Sequence, residues 1–266
     1  MLVDSHCHLD AKYFPPDGPT GGADAVLERA TAAGVKGFVV VGVGGDLSTA
    51  RRAVEIAHER PASIAAAVGV HPHDASTLDD AAYAELDVLA RDPAVVAVGE
   101  IGLDYHYDHS PRDVQRAAFA RLIGLARAVG KPIVVHTRSA AEETLAILEA
   151  EDARDVGGVI HCFSEDRPFA TRALALGFYL SFSGIVTFKT TAAIQDVAGW
   201  APDDRILVET DSPYLSPVPL RGRPCEPAYG VHTARRVAEL RKMSFERVAE
   251  LTSANAERLF KRTFGA

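Results

Sequence analysis

Two histidines separated by one residue, His6 and His8 in "DSHCHLD" (4–10), are the first groups in the chain able to do chemistry. Imidazole nitrogens are the commonest protein ligands of divalent metals. The thiol between them, Cys7, raises a zinc site as one reading. Two other readings compete: ordinary buried histidines satisfied by hydrogen bonds, and part of a metal centre that leaves the cysteine out. Side chains alternate along an extended strand, so His6 and His8 share a face and Cys7 points the other way. That parity counts against the thiolate reading. Cys7, like Cys162 beside His161, then reads as a small buried hydrophobe.

A polar residue closing an apolar run recurs along the chain. His71 closes "IAAAVGVHP" (64–72), Glu100 falls late in "VVAVGEIGL" (95–103) and His136 in "PIVVHTR" (132–138). His161 stands in "GGVIHCFS" (157–164) and Asp211 in "RILVETDS" (205–212). Buried imidazoles and carboxylates are costly unless paired or metal-bound. As a set without thiolate they suit Zn, Mn, Fe or Co, and Mg when waters complete the shell. One catalytic cation that keeps an open position does not need so many donors. Two divalent metal ions sharing a bridging carboxylate do, and such pairs are a common device in phosphate-ester cleavage.

These donors meet only if the elements carrying them converge. Eight short Val- and Ile-rich runs, 2–9, 35–43, 64–72, 95–103, 132–138, 157–164, 178–184 and 205–212, read as buried strands. Helical spacing fills the gaps. "ADAVLERATAAG" puts Ala25, Val26, Ala30 and Ala33 on one side and stops at Gly34. "DVQRAAFARLIGLARAVGKP" does the same with Phe119, Leu122, Ile123 and Ala126, stopping at Gly130. Further helices are expected over 47–59, 79–91, 140–151, 168–176 and 191–200, then 229–241 and 244–262, the last capped by Ser244. This alternation predicts an α/β chain forming one (β/α)8 TIM-type barrel over 1–266, with an open doubly wound sheet as the alternative. In a barrel, the C-terminal ends of the strands lie on one face.

The net charge of −8 argues against a protein that coats nucleic acid by broad electrostatics. It leaves a phosphate substrate open, because bound cations neutralise the carboxylates that hold them. No apolar run reaches the roughly 18–20 residues of a membrane span. Asp4 and His6 arrive before a signal-peptide core could form. Three cysteines are too few for a disulfide framework, so a reducing, cytoplasmic compartment is expected.

The motifs in combination resemble the TatD family of metal-dependent hydrolases, within the amidohydrolase-like barrels. They are "DSHCHLD" (4–10), "GVHPHD" (69–74), "GEIGLDY" (99–105), "VHTR" (135–138), "HCFS" (161–164) and "ETDSPYLSP" (209–217), followed by "RGRPCEPAY" (221–229) and "NAERLF" (255–260). The resemblance implies that His6, His8 and Asp211 bind one metal, His136 and His161 the other, and that Glu100 bridges them. It places His71 on the substrate side and gives Asp211 a second role as proton acceptor for a metal-activated water. Arg138, two residues beyond His136, suits a phosphate contact. His71 and His73, on the loop after the third run, are expected either to contact a leaving oxygen or to structure that loop. Glu209 and Asp4, each two residues before a ligand, are expected to orient it or to make a deep core hydrogen bond. Arg221 and Glu226 lie on a loop expected to edge the site. Cys225 stands there near the position where the family usually has Asn.

The activity implied is a deoxyribonuclease, a hydrolase cutting DNA or nucleotide phosphodiesters; the residues alone give only hydrolysis at a two-metal centre. A related reading keeps the barrel and changes the bond to a small carboxylic ester, amide or lactone. Many such enzymes bridge their metals with a modified lysine. Here Lys131 precedes the fifth run and Glu100 fills that place. A third reading is a metal-binding scaffold without turnover.

Overall fold

Each apolar run becomes a strand. In the computed structural model, which describes residues 1–265, the strands are β1 (Leu2–Cys7), β2 (Val35–Val43), β3 (Ile64–Gly69), β4 (Val95–Asp104), β5 (Ile133–Arg138), β6 (Gly158–Ile160), β7 (Tyr179–Phe182) and β8 (Ile206–Val208). They lie side by side in chain order, all parallel. Between them run α1 (Gly22–Ala32), α2 (Ser48–Glu59), α3 (Asp80–Ala90), α4 (Arg112–Val129), α5 (Ala141–Ala150), α6 (Arg167–Ala175) and α7 (Ala192–Trp200). After β8 come α8 (Gly230–Arg241) and α9 (Phe245–Phe260). β1 closes the ring against the chain just past β8. Asp211 N–H donates to the His6 carbonyl and His8 N–H to the Ser212 carbonyl, both at 2.9 Å. The sheet is a barrel, and the open-sheet alternative falls away.

The helices form where the spacing predicts. Phe119, Leu122, Ile123 and Ala126 make the buried stripe of α4, and Gly130 takes the left-handed cap at φ 67°. Ser244 caps α9 by accepting from Arg247 N–H at 3.1 Å. α1 departs in detail: it ends at Ala32 and buries Val26, Leu27 and Ala30. Ala33 lies past its last turn, exposed.

Alternate residues of every strand meet inside the barrel, where Val3, Val39, Ala65, Ala97, Val134, Val159, Tyr179 and Leu207 share one apolar cluster. Phe260 of α9 and Phe264 beyond it join that cluster and seal the N-terminal mouth. An added Cβ on Gly37 would stand 2.7 Å from the Phe264 Cβ, so only glycine leaves room for the plug. The outward side chains, Cys7, Phe38, Val40 and Val98 among them, pack under the helices. Each fully buried large apolar side chain contributes about 1.5–3 kcal/mol. β1 is also tied to the far end of the chain: Val3 N–H donates to Ser253 Oγ of α9 at 3.1 Å.

Two irregularities lie directly beneath the polar face. Gly99 pairs with Val134 and Ile101 with Val135, which leaves Glu100 as an extra residue in β4. Between Asp4 and Cys7, β1 likewise carries one residue more than β2. Strict alternation therefore fails through His6, yet Cys7 still faces the helices. Such bulges re-aim side chains and are frequent beside active sites. Several strands also stop sooner than their apolar runs suggest. The runs ending at 164 and 212 leave the ladder at Ile160 and Val208, where Cys162 (φ 43°) and Asp211 (φ 55°) enter left-handed turns. Among the described residues, no helix is long and apolar enough to cross a membrane.

Candidate metal centre

The C-terminal mouth holds the donors. His6 and His8 leave β1 with their Nε2 atoms 3.4 Å apart. Asp211 sets Oδ1 3.8 Å from His6 Nε2 and 3.7 Å from His8 Nε2. Glu100 Oε2 stands 3.6 Å from His6 Nε2. These spacings exceed good hydrogen-bond lengths. They match the edge, about 3.4 Å, of a tetrahedron around a cation with bonds of roughly 2.0–2.2 Å. The other oxygen of Glu100, Oε1, faces a second group: His136 Nδ1 and His161 Nε2 at 2.8 Å each, and His71 Nε2 at 3.4 Å. His161 stacks on His6 with centroids 4.0 Å apart, so the two groups touch.

Burial sets the electrostatics. It pushes the His6 imidazole well below its ordinary range, with His161 adding to the effect, so its nitrogen lone pair is free to bind a metal. Burial alone would raise the Glu100 carboxyl, but His161, His71 and His136 outweigh it and hold the group well below the usual carboxylate range. His161 moves the other way: Glu100 and Glu209 overcome burial and raise it. This is a buried carboxylate kept charged by the rings around it. Nitrogen and carboxylate donors at cation spacing, with no thiolate among them, fit a divalent metal.

The donors are themselves held. His8 Nδ1 lies 2.8 Å from the Val41 carbonyl, which fixes the proton there and turns Nε2 to the centre. His161 Nδ1 lies 3.2 Å from Glu209 Oε1, an oxygen that also accepts from Cys162 N–H at 2.7 Å. His136 Nε2 is 3.1 Å from Asp104 Oδ2, and His73 Nε2 is 3.0 Å from the same oxygen. Asp104 is a site residue that the pattern of polar groups closing apolar runs does not reach. It sits one residue beyond the expected fourth strand, four after Glu100 in the motif "GEIGLDY", and that spacing was the available signal.

The remaining expected residues scatter. Asp4 accepts from Thr210 N–H at 2.9 Å and from His6 N–H at 3.3 Å, so it contacts the His6 backbone. Burial pushes its carboxyl up to about 8. Arg138 is exposed, with its guanidinium 4.8 Å from the Tyr107 ring centroid. Arg221 lies 3.8 Å from the Phe188 ring centroid. Glu226 is engaged by Arg29 of α1 through two bonds of 2.7 and 2.9 Å. Cys225 is buried with its thiol toward the Thr210 carbonyl, and all three cysteines are free.

The chain is similar to known proteins over nearly its whole length. The family described as TatD related DNase matches residues 3–261. The metal-dependent hydrolase YabD of Bacillus subtilis is 43% identical over 261 residues, covering 98% of this chain and 99% of that protein. The 3'-5' ssDNA/RNA exonuclease TatD of Edwardsiella piscicida is 34% identical over 265 residues, covering 98% and 99%. The solved structure of YjjV, a TatD homologue from Escherichia coli K12, superposes with a TM-score of 0.87 at 28% identity and covers 98% of each chain. A histidine–carboxylate cluster in a parallel barrel, with these relatives, gives a single conclusion: the chain belongs to the TatD-related DNase family of metal-dependent hydrolases.

Proposed function

We propose that the protein is a deoxyribonuclease that hydrolyses phosphodiester bonds at a pair of divalent cations. His6, His8 and Asp211 would hold one, His136 and His161 the other, and Glu100 both. The observation that carries this reading is the placement of Glu100, with one oxygen toward each donor group. Bound there, two such ions supply charge stabilisation on the reacting oxygens and activation of water.

The chain's own residues do the rest. The Asp211 side chain is 13% exposed against 5% for Glu100, so it is the carboxylate better able to take a proton from water and pass it outward. Glu209, Asp104 and the Val41 carbonyl fix three of the rings. His71, with Nε2 3.4 Å from Glu100 Oε1, and His73, held by Asp104, would meet a leaving oxygen. Arg138, exposed at the end of β5, offers a cation to a phosphate. The name of the Edwardsiella relative supports nucleic acid as substrate.

The test is a digest of end-labelled single-stranded DNA by metal-stripped protein, with Mg, Mn, Zn, Fe or Co added back singly. Cleavage should vanish under excess EDTA and return with at least one ion. Full activity under EDTA would overturn the metal reading. A higher kcat/KM on a small lactone or amide than on DNA would overturn the substrate.

A further inference from the structure

We infer that exposed aromatic rings on opposite rims of the metal centre stack the unpaired bases of a single-stranded nucleic acid, one on each side of the bond being cut. This rests on the phosphodiesterase reading above and adds to it how the strand is held.

Strand order supplies the geometry. In a ring of eight strands in sequence order, the β8/β1 junction lies across the barrel from the β4/β5 junction. Tyr13 follows β1 and Tyr214 follows β8. The Tyr214 hydroxyl donates to that of Tyr13 at 2.6 Å, and each ring centroid lies 6.2 Å from His8. Across the barrel, Tyr107 follows β4. Its N–H donates to Asp104 Oδ1 at 2.9 Å, and Asp104 holds His136 through its other oxygen. The His109 ring runs parallel to that of Tyr107, offset at 5.6 Å, and widens the shelf. The first shelf is fastened to Asp211, whose carbonyl accepts from Tyr214 N–H at 2.8 Å, and the second reaches His136 through Asp104.

Exposure and charge point the same way. Tyr107 is 51% exposed and Tyr214 46%; among the described residues the only other large aromatic ring so exposed is Trp200. Arg138 already lies over the Tyr107 ring, 4.8 Å from its centroid, as a cation suited to the phosphate of a base stacked beside it. The remaining exposed aromatic surface beside a polar site suits stacking, which tolerates any base because each has a π-face. With a net charge of −8, broad attraction of the phosphate backbone away from the metal centre has little to contribute, so the shelves supply affinity along the strand that the global charge does not. Paired bases in a duplex cannot lay their faces on both shelves, and the arrangement selects single strands.

The test compares an ordinary single-stranded oligonucleotide with one of equal length built on tetrahydrofuran abasic sugars. The metal-loaded wild type should show a lower KM for the strand with bases. In Tyr107→Ala and Tyr214→Ala that preference should shrink, through a rise of roughly 5- to 100-fold in KM for the strand with bases. Tyr107→Trp, which keeps a face, should retain it, as should Trp200→Ala as a control on α7. An unchanged preference in both alanine variants would overturn the inference and leave the nuclease reading intact. If the wild type cuts neither strand, the nuclease reading fails. The stacking inference is then decided by equilibrium binding of the same two strands: weaker binding of the based strand by the alanine variants supports it, and equal binding overturns it.

Discussion

The two mouths of the barrel are built from the same eight strands and share almost nothing else. At the N-terminal mouth, Val3, Val159 and Leu207 meet Phe260 and Phe264 in an apolar plug. Further along three of those strands, His6, His161 and Glu209 stand at the other mouth, all buried and all polar. The plug is free to be optimised for packing. The donor mouth gathers groups that would repel or desolvate one another without compensation, and it relies on the plug to hold its strands in place. Stability and chemistry are separated by a few residues along each strand.

The sharpest way to break that division is at the donor mouth. Asp211→Asn keeps the shape and one oxygen but removes the charge. It should lower kcat by about 10²–10⁴-fold, with unfolding unchanged in urea and no recovery in excess Mn or Mg. Glu100→Gln should instead lose bound metal and recover in part as metal is added. The measurement is kcat for both variants across a metal titration with bound ion counted at each point. Wild-type turnover of Asp211→Asn at high metal would make that residue a ligand only, and His71 the next candidate for the base.

The plug should answer in the opposite currency. Phe260→Ala should cost about 3–5 kcal/mol of stability, while metal content and kcat per folded molecule stay as in the wild type. Loss of metal from the folded variant would show that the two mouths are not independent.

A smaller effect is expected where the layers meet, at Asp4. Its folded pKa of about 8 lies above its ordinary 3.8, so its contribution to stability is complete below the lower value and is lost as pH rises through the upper one. Asp4→Asn keeps an acceptor for Thr210 N–H and removes the titration. Metal-stripped Asp4→Asn should therefore be more stable than wild type at pH near 8, by about 1–3 kcal/mol, with the gap closing toward acid. Urea unfolding at both ends of that window checks it, and a variant less stable at the alkaline end would show that the native carboxylate is charged and well paired.

Much of this division is visible in the sequence because it follows local rules. Period and punctuation mark the strands and helices, down to Gly130 and Ser244 at their caps. His6, Glu100, His136, His161 and Asp211 stand out because polar groups at the ends of apolar runs need a reason. What local pattern does not carry is register. The extra residue at Glu100 exists only relative to β5, and an added Cβ on Gly69 would stand 2.7 Å from Gly99, a constraint set across two strands. Asp104 escapes notice because its two imidazole partners come from β5 and the loop after β3. Glu226 reads as a rim residue until Arg29, 197 positions away, is found beside it.

The bond from Val3 to Ser253 spans 250 positions, and the His6 carbonyl likewise waits for Asp211. On a ribosome, the first strand would be made early, paired with β2 on one side, and left without its neighbour on the β8 side until nearly the whole chain had emerged. Contacts so distant in sequence are slow to form and leave apolar edges open in the meantime. The group that joins His6 and His8 of β1 to Asp211 therefore cannot be assembled as the chain grows; it is completed last, in the same event that shuts the barrel.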